Sequence, residues 1–160
     1  MILSAQSIRK RGIFTPFVEA SKCPLTNTSF GLSHCGYDVR LNIDRKSYYE
    51  DAQGIYYKMQ PQEFILAATL EHFEMPNDLV GIVHDKSSMA RRGVTVQNTV
   101  IEPGWKGFLT LEITNHARDI VILREGQGIA QVLFQLLDAP TENPYDGKYQ
   151  NQEAGPQPAR

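Results

Sequence analysis

The sequence predicts an all-β fold, a distorted barrel or double sheet with short helices, on three observations. Short segments alternate apolar and polar residues with the two-residue period of a half-buried strand. Turn-forming residues separate these segments at close intervals, and no strand is followed by the long amphipathic helix of a βαβ unit. The chain has 160 residues, of which 41% are hydrophobic, enough for one packed core and short for two. Nothing repeats at a fixed period.

The elements follow in chain order. Ser4 is a suitable N-cap for a first helix carrying Ile8, although Ser7 cannot complete a capping box, and the helix should stop by Gly12. After a stretch rich in Thr, Ser and Gly, Tyr37, Val39 and Leu41 alternate with Asp38 and Arg40 over residues 36–41, which predicts a strand. Further strands are expected at 63–70, 79–84, 94–101, 108–114, 120–123 and 129–137. Pro76-Asn77-Asp78, Glu102-Pro103-Gly104 and Arg124-Glu125-Gly126 are the turns between them. Residues 86–92 lack β-branched side chains and end at Gly93, so one helical turn is expected there, with Ser87 and Arg91 four apart on one face. Residues 1–138 therefore read as a β domain. Residues 139–160, rich in Pro, Gly, Asn and Gln, read as a tail that adds little to the core.

The formal charge of −2 and the even spread of sixteen basic residues give no overall field that would favour nucleic acid or an anionic membrane. No apolar run approaches the roughly 20 residues that span a bilayer. Cys23 and Cys35 supply neither a disulfide framework nor a four-ligand metal site. A soluble, cytoplasmic setting is the expectation. His72-Phe73-Glu74 matches the His-x-Glu half of the zinc deaminase pattern, but the Cys-x-x-Cys half is missing and both cysteines precede it. His34, His84 and His116 show no ligand spacing, so no zinc site is expected.

Three constellations carry chemistry. Lys86, Ser87, Ser88 and Arg91 gather two cations, two hydroxyls and the N–H groups of a helix start within one turn, which is either a phosphate cradle or a solvated surface turn. In residues 108–114, Leu109, Leu111 and Ile113 share one face, and Thr110, Glu112 and Thr114 the other. Glu112 is thus either a solvated strand glutamate or a carboxylate at a subunit seam, where partial burial would raise its pKa toward proton shuttling. Tyr145, Lys148, Tyr149 and Gln152 put aromatics, a cation and an amide into the tail, as either a loose end or a lid over bound phosphates.

In order and rough spacing, these residues resemble the dCTP deaminase family, part of the superfamily that includes the trimeric dUTPases. The matching segments are Met1-Ile2-Leu3-Ser4, the Gly36 to Leu41 strand, Lys86-Ser87-Ser88-Met89-Ala90-Arg91, Ile101-Glu102-Pro103-Gly104-Trp105, Leu111-Glu112 and Lys148-Tyr149-Gln150-Asn151-Gln152. The resemblance implies a dUTPase-like homotrimer with sites between subunits, magnesium carried by the nucleotide triphosphate, and zinc-free hydrolysis of dCTP to dUTP with dTTP as feedback inhibitor. It puts Glu112 at the catalytic base and Ser87 and Arg91 at the groups that position water and glutamate. Lys86, Ser88, Met89 and Ala90 fall on the substrate-binding motif, with Lys86 in place of an arginine. Glu102 stands for an aspartate beside the deoxyribose, Thr110 and Leu111 approach the base, and Tyr145, Lys148 and Gln152 meet the triphosphate. Residues 93–102 are shorter than the family pattern, which leaves the contact to the cytosine open among Val96, Gln97, Asn98 and Thr99. At Ser87, Arg91 and Glu112 the chain resembles bifunctional enzymes that carry dCTP through to dUMP and pyrophosphate as well, a plain dUTPase is a further alternative, and the short loop and Lys86 leave open a silent nucleotide-binding module.

Overall fold

In the computed structural model, which describes residues 1–159, the all-β expectation is met. The chain opens with helix α1 (Ala5–Arg9) and three short strands, β1 (Phe14–Thr15), β2 (Ser21–Lys22) and β3 (Ser29–Leu32). Strand β4 (Tyr37–Asn42) leads into the hairpin of β5 (Tyr49–Asp51) and β6 (Gly54–Met59). The long β7 (Phe64–Glu74) and β8 (Leu79–Asp85) precede helix α2 (Ser87–Ala90) and strands β9 (Val94–Val96) and β10 (Val100–Ile101). Strands β11 (Lys106–Asn115), β12 (Val121–Arg124) and β13 (Gly128–Leu136) complete the body. A curled sheet runs β10-β8-β13-β4-β7-β11-β9, with β1, β2 and β3 on its margins, while β12-β6-β5 form a second sheet. Every strand pairing is antiparallel.

The alternation read from the sequence decides which side chains enter the core. Tyr37, Val39 and Leu41 of β4 are fully buried and meet Leu79 and Val83 of β8, Leu111 and Ile113 of β11 and Phe134 of β13 in one cluster. Phe14 packs against Tyr37, Phe73 and Phe134 at ring-centre distances of 4.0, 5.6 and 5.9 Å. The Tyr37 hydroxyl takes the Val18 N–H at 3.1 Å, and burial pushes its pKa up to about 12.

Four differences from the expected elements have local causes. The strand expected at 94–101 is two strands, because the chain changes partners: Val96 pairs with Ile113 of β11, whereas Val100 pairs with Ile82 of β8. Strands β1, β2, β3, β5 and β6 are additional, being two to six residues long and carrying no clean alternation. Asp38, expected on a solvated face, is buried because it accepts from Ser29, Lys86 and Gln131. Strand β7 runs four residues past its expected end at Leu70 through an irregularity, where Phe108 faces His72 and Thr110 faces Ala68. Leu109 alone therefore stands opposite Thr69, Leu70 and Glu71.

Candidate active site

Strand β11 presents Thr110 and Glu112 on the face opposite Leu111 and Ile113, as the strand period requires. Together with Glu102, Tyr145, Lys148 and Gln152 they line one cleft of about 640 Å³, a size that suits a small-molecule ligand. Six of the residues singled out in the sequence thus converge on one space. Phe64 and Leu66 of β7 form an apolar wall beside Glu112, and Phe64 is 56% exposed. One Glu112 carboxylate oxygen is buried and has no hydrogen-bond partner among the described residues. Burial pushes the Glu112 pKa up from its ordinary value, and the backbone N–H offsets only part of this.

The tail runs along the cleft as a strap and supplies part of its wall. Tyr145 N–H donates to the Pro103 carbonyl at 2.8 Å, the Trp105 indole N–H donates to the Tyr149 carbonyl at 2.7 Å, and the Gln150 amide donates to the Gly104 and Tyr145 carbonyls at 3.0 and 2.8 Å. Phe108 N–H donates to the Gln152 carbonyl at 3.0 Å. The Thr110 hydroxyl then accepts from the Gln152 side-chain amide and, at 3.0 Å, from the Gln157 N–H. Backbone contacts of this kind explain why a segment poor in aliphatic residues still packs in one place.

The α2 residues are outside the walls of this cleft. Ser87 and Arg91 are exposed, the Arg91 N–H bonds the Ser87 carbonyl at 3.1 Å, and the Arg91 guanidinium has no hydrogen-bond or ion-pair partner among the described residues. The Ser88 hydroxyl is buried without a partner there, and Ala90 is exposed. Three of the expected binding residues have buried side chains in this chain. The Lys86 ammonium, expected at a phosphate, is buried and held by Asp38 and by the Ser29 hydroxyl at 2.7 Å. Met89 is 1% exposed and belongs to the core, because its position on one turn of helix turns it inward. Leu111 is likewise 1% exposed, since strand alternation sends it to the face opposite Glu112.

Residues not singled out as binding groups also line the cleft, among them Phe64, Leu66, Trp105 and Gln157. Of the four loop residues open to the cytosine, Thr99 lines the cleft; Trp105 ends the Ile101-Glu102-Pro103-Gly104-Trp105 segment, and Phe64 and Leu66 look like ordinary strand apolars in the sequence. Among the described residues no three His, Cys, Asp or Glu side chains converge. No helix among them is long and apolar enough to cross a membrane.

Comparison with known proteins adds the following. The dCTP deaminase-like family matches residues 38–137. A dCTP deaminase of Pyrococcus abyssi is 35% identical over 158 residues, covering 94% of this chain and 93% of that protein. Among solved structures, the 2'-deoxycytidine 5'-triphosphate deaminase from Agrobacterium tumefaciens superposes with a TM-score of 0.61 at 17% identity, over 85% of this chain and 48% of that one. The EIAV dUTPase superposes with a TM-score of 0.55 at 18% identity, over 85% of this chain and 97% of that one. At these identities the two superpositions establish a dUTPase-like fold.

Proposed function

The chain belongs to the dCTP deaminase-like family, and from that premise we propose that it hydrolyses dCTP to dUTP and ammonia with Glu112 as the general base. The observation that carries this is the Glu112 carboxylate, which lines the cleft with one buried oxygen left unpaired among the described residues. An acid whose pKa is raised by burial is a stronger base once ionised and sits closer to neutral pH. Glu112 takes a proton from water as the oxygen bonds to C4 of cytosine. The C4=N3 bond opens as that oxygen adds, and N3 takes the proton from Glu112; the proton left on the new C4 hydroxyl then passes to the exocyclic nitrogen, the C4–N bond breaks, and ammonia leaves as the C4 carbonyl of uracil forms.

Ser87 and Arg91 reach the reaction from a neighbouring copy. They are exposed outside the walls of their own chain's cleft, and the apolar surface around Phe64 and Val100 beside Glu112 is uncovered in one chain. A homotrimer with sites at its seams completes both. Lys148, Tyr145 and Gln152 stand where the tail meets the cleft and take the triphosphate. Magnesium fits as a counter-ion held mainly by the phosphates, where it neutralises their charge. Zinc has no part in this reading, since the sequence has no Cys-x-x-Cys to complete its His-x-Glu. A reducing, cytoplasmic setting agrees with Cys23 and Cys35 being free.

A second reading, a bifunctional enzyme or a plain dUTPase, is favoured by Glu102, whose side chain lines the same cleft as Glu112 and supplies a second carboxylate. Following ammonia and pyrophosphate from dCTP, and dUMP from dUTP, separates the two. A deaminase releases ammonia alone and leaves dUTP intact.

A further inference from the structure

We propose that Thr69, which is fully buried and touches no substrate, is a positioning residue that seats the tail over the cleft. Thr69 lies in the irregularity of β7, where Leu109 stands opposite Thr69, Leu70 and Glu71. Its hydroxyl donates to the Glu71 carbonyl at 2.7 Å, drawing the extra residues of β7 into a tight loop. The same oxygen accepts the Leu109 N–H at 3.0 Å, replacing the backbone carbonyl that a regular ladder would offer. Leu109 is flanked by the two attachment points of the tail: Phe108 N–H holds the Gln152 carbonyl, and the Thr110 hydroxyl accepts from the Gln152 amide and the Gln157 N–H. One buried hydroxyl therefore fixes the backbone residue between both contacts, and the tail's seat depends on it.

The kinetic part of this inference rests on the dCTP reading above, and the structural part does not. Thr69→Val keeps the shape and removes the hydroxyl, and Thr69→Ser keeps the hydroxyl. Lys148 is exposed at the start of the strap, so trypsin release of peptide 149–160, followed by mass spectrometry, measures undocking without any reference to activity. Thr69→Val should release the peptide about fivefold faster, the factor one ordinary hydrogen bond brings, and Thr69→Ser should match the wild type. Thr69→Ala carries the same expectation as the valine variant if the latter fails to fold. With dCTP, the hydroxyl-free variants should raise KM by a similar factor at nearly unchanged kcat. Unchanged peptide release in the hydroxyl-free variants, or a serine variant that behaves like them, overturns the proposal. Faster release in a protein that fails to deaminate dCTP supports the role of Thr69 while refuting the substrate reading.

Discussion

Gly107 and Gln152 approach so closely that a Cβ on residue 107 would lie 2.6 Å from the Gln152 nitrogen. Gly107 also has φ +141°, a conformation that L side chains rarely adopt. The tail pairs with β11 at this point, through the parallel bridge between Gly107 and Gln152. Gly107→Ala should therefore displace the strap without emptying the core. Backbone strain of this kind costs about 1–3 kcal/mol, so KM for dCTP should rise roughly tenfold. Steady-state kinetics beside a thermal melt check it; an unchanged KM would show that the strap does not contribute to binding.

Burial raises the Glu112 pKa, and the sign of its effect on stability follows. A carboxyl with a raised folded-state pKa favours folding while it is protonated, below its unfolded value, and that contribution is lost as pH rises through the folded value. Glu112→Gln should therefore melt higher than the wild type at pH 8, with the gap narrowing toward pH 4. Scanning calorimetry across that range reads this directly.

Asp38 and Lys86 form a buried pair, 7% and 10% exposed in their side chains, and the Lys86 carbonyl accepts the N–H groups of Met89 and Ala90 in α2. Asp38→Asn leaves a buried ammonium without its counter-charge, facing only neutral oxygens, which should cost about 3–5 kcal/mol in urea unfolding. The double variant Asp38→Asn with Lys86→Met should regain much of this. An Asp38→Asn protein of wild-type stability would mean that Lys86 turns outward and is available to phosphate after all.

Ser87 and Arg91 are exposed, so Ser87→Ala and Arg91→Ala should change unfolding free energy by no more than about 0.5 kcal/mol while lowering turnover. If the site is shared, Arg91→Ala protein mixed and reassembled with inactive Glu112→Gln protein should recover activity. Failure of every such mixture would place the reaction within one chain.

These residues also show how far the sequence could be read. The alternation of Leu111 and Ile113 against Thr110 and Glu112 identified both strand and face, because burial on one side imposes a period of two, whereas Leu109, at the irregularity, lines the cleft. The same rule did not extend to partner changes. Residues 94–101 read as one strand, yet the chain leaves β11 after Gln97, whose N–H bonds the Glu112 carbonyl at 2.9 Å, and joins β8. Lys86 looks like a surface cation, and only the fold brings Asp38, 48 residues away, against it. The tail's amides were visible, but the bonds that seat them depend on Gly107 and Thr69, whose roles lie in backbone geometry.

The central claim is that Glu112 is the base for dCTP deamination. It is tested most directly by incubating dCTP with the wild type and with Glu112→Gln, following ammonia and nucleotide binding together. The wild type should release one ammonia per dUTP formed, and the variant should retain dCTP binding with ammonia release abolished. A Glu112→Gln protein that deaminates at a near-normal rate would contradict it.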